Sequence, residues 1–277
     1  MKDIAGATKE VRNLVQENIK SAVAEKRYND DVQPVDWENM QKVTPDFVFL
    51  TKNPIKILGG FLARGLAMFV SPILCKVGIG TAKVHGRENL KGLKGAVITC
   101  NHVHIFDNLF VRWGTRGHKL YITVAEFNNM KGPLGALLRG AGCLPFSDCF
   151  TAMKNMSKAI DKLIQKGRFV LYYPEKAMWP RYEKPRPYIN GAFHACVNNN
   201  VPVVPTFIAF KPKAGKGNEG KTAGEYYIMK PIFPKPELSK KANVEYLKNA
   251  AFESVCQCYK EVFGEDPYNE TPVSVNL

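Results

Sequence analysis

From residue 81 onward, short runs rich in β-branched and aromatic residues alternate with stretches of helical periodicity, and this alternation most narrows what the chain can fold into. The strand-like runs fall at residues 82–85, 96–99, 120–124, 169–172, 203–210 and 226–229. Helical patterns fall at residues 107–112, 133–140, 151–165, 190–199 and 243–263. Parallel strands need a long crossover between them, which a helix supplies, so alternation of this kind predicts an α/β fold: a mostly parallel sheet flanked by helices. The Gly/Lys tract 211–224 reads as a solvated loop between the last two strands, and no internal repeat is present.

The first 80 residues have a different character. Ile4, Ala7, Val11, Leu14, Val15, Ile19, Ala22 and Val23 recur at helical spacing, which predicts an amphipathic helix over 3–27. Residues 28–53 are polar, contain two prolines and read as an irregular segment. Residues 54–79 form the most apolar stretch, interrupted by Lys56, Arg64 and Lys76, with Pro72 inside. Its longest uncharged run, 65–75, falls short of the roughly 20 residues that span a bilayer. A helix or helical hairpin lying in a membrane interface, with its cations in the headgroup zone, fits this pattern; a buried core helix is the alternative. The expected organisation is therefore a membrane-associating helical region, 1–80, followed by an α/β domain, 81–277.

A formal charge of +14 points to an anionic partner: a lipid surface, a phosphorylated small molecule, an acidic protein or nucleic acid. Nucleic acid lacks support, because no aromatic RNA-binding motif, zinc-finger spacing or long Lys/Arg run accompanies the charge. The seven cysteines are scattered, with no C-x-x-C pair, which suits a reducing compartment. The N-terminus lacks the apolar core of a signal peptide, so a cytoplasmic location is expected. Neither cysteines nor carboxylates are spaced as metal ligands, and no Walker or dinucleotide-binding glycine pattern occurs; no metal or cofactor is expected.

The run GAVITCNHVHIFDNLF carries the chemistry. A β-branched strand ends at Cys100, and Asn101 and His102 follow at its carboxyl end, where open α/β sheets place ligands. Asp107 comes five residues after His102. On a straight helix these side chains would sit roughly 140° apart and could not touch. A turn at 102–106 with Asp107 at a helix N-terminus, where an acidic residue is favoured, would bring them together. Neutral imidazole accepts a proton near pH 7, and a carboxylate on its other nitrogen fixes the tautomer and stabilises the imidazolium. No G-x-S-x-G nucleophile motif is present, so a substrate hydroxyl would be the nucleophile. His104 reads as a non-catalytic histidine, and His85, His118 and His194 are isolated.

In order along residues 55–210, four blocks resemble the glycerolipid acyltransferases, whose best-known members are the 1-acylglycerol-3-phosphate acyltransferases. The first is VHGRENLKGLKGAVITCNH, in which His102 and Asp107 match the family's catalytic pair. The second is RGAGCLPFSD, where Gly142 and Phe146 echo the family's Gly-x-Ile-Phe. The third is VLYYPEKAMWP, which keeps Pro174 and Glu175 of the family's Phe-Pro-Glu-Gly-Thr-Arg. The fourth combines INGAFHACVNNN with VPVVPTFI, similar to the family's Gly-Ala-Phe helix and Val-Pro-Val-x-Pro strand. The resemblance implies transfer of an acyl group from coenzyme A or acyl carrier protein to a lipid hydroxyl at the cytoplasmic face of a membrane. It implies a peripheral or monotopic attachment there. It gives Glu175 a role with the acceptor or in supporting the site, and Asn101 a role in orienting the loop.

The third block departs from the family. Lys176, Ala177 and Met178 replace Gly-Thr-Arg, whose arginine holds the acceptor's phosphate in the family, and the second block's arginine falls at Asp148. A methionine cannot replace a bidentate guanidinium. Two readings follow. In one, Lys176, Arg181, Lys184 or Arg186, with Arg139, rebuild the phosphate site. In the other, the acceptor is a phosphate-free lipid alcohol derived from an amino acid or sugar, with Met178 and Trp179 lining an apolar pocket. A third possibility is a degenerate relative that binds lipid without catalysis, which the joint survival of His102, Asp107 and Glu175 opposes. Leu134, Leu137, Leu138, Leu144 and Phe146 are candidate walls for the acyl chain.

Overall fold

The computed structural model describes residues 8–35, 38–213, 215, 218 and 221–268. In chain order the elements are α1 (Lys9–Ala24), α2 (Pro54–Gly78), β1 (Val84–His85), β2 (Ala96–Cys100), α3 (Asp107–Gly114), β3 (Leu120–Val124) and α4 (Gly132–Gly140). They continue with β4 (Cys143–Pro145), α5 (Phe150–Gln165), β5 (Phe169–Tyr172), α6 (Gly191–Asn199), β6 (Val203–Pro212), β7 (Thr222–Ile228) and α7 (Lys240–Phe263). The strands form one seven-stranded sheet in the order β1-β7-β6-β2-β5-β3-β4. All neighbouring strands are parallel except β6 and β7, which pair antiparallel. The α/β class read from the alternation is the class found.

Two differences from the expected strands have physical causes. The three-residue β4 is too short to show a period of two, so residues 143–145 gave no strand signal. The last strand begins at Thr222, inside the tract expected to be a loop, because pairing with β6 overrides the poor strand propensity of Ala223 and Gly224.

The strand interiors are apolar on both sides, as a sheet covered on both faces requires. Val97, Val170, Tyr172, Val203 and Phe207 face α5, α6 and α7. Ile98, Phe169, Leu171, Val204 and Ile208 face the opposite layer, with Phe110 and Val111 of α3 and Cys75 of α2. Central β2 is buried at every position and lies between β5 and β6. The chain leaves it toward β3 on one side and later reaches β6 on the other, so the carboxyl end of β2 lies at the switch point of the sheet.

The N-terminal region is built onto this domain. Val15, Ile19 and Ala22 of α1, with Val32, pack on Ala177 and Trp179 of the loop after β5. Asn29 donates to the carbonyls of Glu175 and Pro187, Gln33 donates to that of Met178, and the Trp179 indole donates to the carbonyl of Asp30. Residues 3–7 of the expected first helix lie outside the described residues.

The stretch 54–79 is one continuous helix, not a hairpin, and Pro72 is accommodated inside it. Asn53 caps its first turn, and Pro54 stands where its missing N–H costs nothing. One flank is committed to the domain. Gly60 lies against Gly140 of α4, and Arg64 donates to the Gly140 carbonyl at 2.9 Å. At the far end, a Cβ on Gly78 would come within 2.2 Å of the Phe106 ring, so only glycine lets the helix reach the turn before α3. The other flank is an exposed apolar stripe that includes Ile55 (79% exposed), Phe69 (73%) and Val77 (71%). The helix is long and apolar enough to cross a membrane, yet only 17% of its most apolar 18-residue window is buried.

Trp179→Ala is expected to cost about 3–5 kcal/mol, the usual loss for a fully buried large aromatic. Chemical denaturation measures that loss, and limited proteolysis should cut the variant first between α1 and Val32.

Candidate active site

The backbone turns at residues 102–106 and α3 opens with Asp107 as its first residue. The turn brings the pair together: His102 Nδ1 donates to Asp107 Oδ2 at 2.6 Å. The same carboxylate oxygen accepts the backbone N–H groups of Val103 and His104 at 3.3 and 3.5 Å. Its partner Oδ1 accepts the Tyr173 hydroxyl at 2.7 Å. Asp107 is completely buried, whereas the His102 side chain retains 23% exposure. The Tyr173 ring stacks on the His102 imidazole, with centroids 3.9 Å apart and planes 16° from parallel. Desolvation, and next the Asp107 carboxylate, push the Tyr173 hydroxyl well above the ordinary tyrosine range, so it keeps its proton and donates. With Nδ1 committed to Asp107, Nε2 is the nitrogen left to take a proton.

Strand register sets up this arrangement. Thr99 of β2 lies opposite Tyr172 of β5, so the residues just past both strand ends share one side of the switch point. Asn101 ties the end of β2 to β6, donating to the Ile208 carbonyl at 3.0 Å and accepting its N–H at 2.8 Å. Glu175 is buried; Oε2 accepts the His102 backbone N–H at 3.2 Å, and Oε1 accepts the Arg186 N–H at 3.0 Å. The loop after β5 then runs along the histidine turn, where the N–H groups of Trp179 and Arg181 donate to the carbonyls of His102 and Val103, each at 2.9 Å.

The candidate phosphate ligands separate in space. Arg186 has no exposed surface: it pairs with Glu175 at 2.8 Å, donates to the carbonyls of Tyr28 and Ala177, and lies over the Trp179 ring. Its expected place at an acceptor phosphate is therefore corrected to one behind the site, holding Glu175. Arg139 is spent on Asn129 and Met130 at the start of α4. Arg181 is half-buried over Phe210 and donates to Thr222, with its backbone against Val103. Lys176 is exposed, and both it and Arg181 have positive φ, 69° and 55°.

Trp179 does not line a pocket for an acceptor, because α1 buries it entirely. Among the candidate acyl-chain residues, Leu144 belongs to the core, while Leu134 and Leu137 face outward on α4. Phe146 borders a cleft of about 140 Å³ with Met153, Met156 and Tyr172. His104 is buried and accepts the Phe106 N–H on Nδ1, a role in shaping the turn.

The family model described as Acyltransferase matches residues 81–209, a span that contains the histidine turn, the loop after β5 and the strands that carry them. Those residues form an acyltransferase domain. The chain is accordingly an acyltransferase. Its fold is similar to that in the crystal structure of PlsC, the 1-acyl-sn-glycerophosphate acyltransferase from Thermotoga maritima. The TM-score is 0.51 at 16% identity, over 74% of this chain and 84% of that one. No curated protein matches the sequence.

Tyr173 is the site residue that sequence reasoning missed. Its signal was present: a tyrosine stands where the family's third block has phenylalanine, directly before Pro174 and Glu175. Arg186→Met would leave the Glu175 carboxylate buried without its cation and is expected to destabilise the acyltransferase by about 3–5 kcal/mol. Urea denaturation tests this. A variant of native stability whose only defect is a raised KM for the acceptor would return Arg186 to the binding surface.

Proposed function

We propose that this acyltransferase moves a fatty acyl group from a coenzyme A or acyl carrier protein thioester to the free hydroxyl of 1-acylglycerol-3-phosphate. The observation that carries the reading is the 2.6 Å bond from His102 Nδ1 to the buried Asp107 carboxylate, which leaves Nε2 as the base. Nε2 removes the acceptor's proton as its oxygen attacks the thioester carbonyl. The new O–C bond forms, the C–S bond breaks, and the imidazolium returns the proton to the departing thiolate. Asp107 stabilises the imidazolium between these steps without taking the proton. No serine or cysteine need be acylated, and no acyl-enzyme forms.

Lys176 and Arg181 are the cations this reading places at the acceptor's phosphate: Lys176 is exposed beside the loop, as is Lys184, and Arg181, which also donates to Thr222, lies against Val103. Lysine recognises phosphate as a point charge and arginine as a fork, so the pair can stand in for the family's missing arginine. The phosphate-free acceptor remains the second reading, favoured by the burial of Arg186 and the engagement of Arg139.

Purified protein with a long-chain acyl thioester is expected to acylate lysophosphatidate, and His102→Ala should lower that rate by a factor of about 10²–10⁴. Turnover of a phosphate-free lipid alcohol without turnover of lysophosphatidate would establish the second acceptor. Wild-type turnover by His102→Ala would remove the base assignment.

The exposed stripe of α2 supports attachment to a membrane, which we propose to be peripheral and at the cytoplasmic face, with the helix lying in the interface and its other flank on α3 and α4. Aspartate at Phe61, Leu62 and Phe69 together should abolish sedimentation with anionic vesicles while leaving the denaturation midpoint within experimental error. Undiminished sedimentation would show that the stripe is not the contact.

A further inference from the structure

We infer that Tyr173 is a positioning residue of the reaction: through its hydroxyl on Asp107 and its ring on His102, it holds the base in register with its carboxylate. The inference rests on the general-base reading above. The carboxylate of Asp107 has no exposed surface, and its two oxygens are served from different directions. Oδ2 takes the imidazole and the two backbone N–H groups of the turn. Oδ1 takes the Tyr173 hydroxyl, the one bond to that oxygen among the described residues. A buried carboxylate oxygen without a donor is costly, so this hydroxyl fixes the rotation of the Asp107 side chain. The rotation in turn sets the direction in which Oδ2 meets Nδ1.

The ring acts on the other partner. At 3.9 Å and 16° it covers one face of the imidazole and blocks His102 from tilting toward that side, out of the plane of its bond to Asp107. An aromatic face also favours the cationic imidazolium that forms when the proton is taken. A phenylalanine at this position could supply the stack but not the bond to Oδ1. The departure from the family's block therefore adds a donor to the site, in the same segment that has lost the phosphate-binding arginine. Tyr173 itself moves no proton, since its hydroxyl stays protonated throughout.

Tyr173→Phe keeps the ring and deletes only the donor. In the acyl-transfer assay its kcat is expected to fall about tenfold, the scale on which small misplacements of a catalytic group act, with KM for the thioester nearly unchanged. In an Asp107→Ala background, Tyr173→Phe should slow the reaction no further, because the donor has lost its acceptor.

Wild-type kcat would overturn the inference, as would an equal further loss in the Asp107→Ala background. A fall in denaturation midpoint with kinetics intact would likewise assign Tyr173 to stability alone. His102→Ala serves as the reference arm. Activity surviving that change would fail the base reading itself, whereas an inactive His102→Ala beside a fully active Tyr173→Phe would fail only the role given to Tyr173.

Discussion

A carboxylate with no solvent contact must find its hydrogen bonds inside the protein, and Asp107 is placed where the fold can supply them. One side of the group needs the backbone N–H groups of a turn, which fixes residues 102–106 ahead of α3. The other side needs a donor from the next strand, which the register of β2 against β5 delivers as Tyr173. The imidazole then has a single orientation that satisfies the same acceptor. The position of the His102 imidazole is thus a result of satisfying one buried anion, and the central strands, the turn and α3 all contribute to that end.

A second buried anion organises the loop after β5. Glu175 accepts from the His102 backbone on one side and from Arg186 on the other. Arg186 is itself held by carbonyls from the N-terminal segment and from the loop. Two residues that stand in place of the family's Gly-Thr-Arg serve this connection: Ala177, with the following Trp179, forms the platform on which α1 packs, and the Met178 carbonyl receives Gln33.

The fold class was legible because parallel crossovers leave an alternating sequence pattern, and β3 and β5 run over the residues the pattern gave. The turn joining His102 to Asp107 was legible for a simpler reason: a spacing of five cannot put both side chains on one face of a helix. The functions of Arg186 and Trp179 were not legible. A sequence shows that an arginine lies beside a binding motif but not which way it faces, and the partners that bury these two lie some 150 positions away, around Tyr28 and Asp30. Tyr173 escaped because an aromatic residue at the end of a buried strand looks like core until its hydroxyl is placed.

Those separations also bear on how the protein is made. Asn29 reaches the carbonyls of Glu175 and Pro187, contacts separated by 146 and 158 positions. Contacts at such range carry a loop-closing cost that local contacts do not, which puts them late in folding. During synthesis α1 emerges before the domain it packs on, and the apolar face formed by Val15, Ile19 and Ala22 lacks Ala177 and Trp179 until the chain has grown past them. For that interval α1 is an amphipathic segment without its docking platform, and the loop after β5 closes only when the two ends of this long stretch meet.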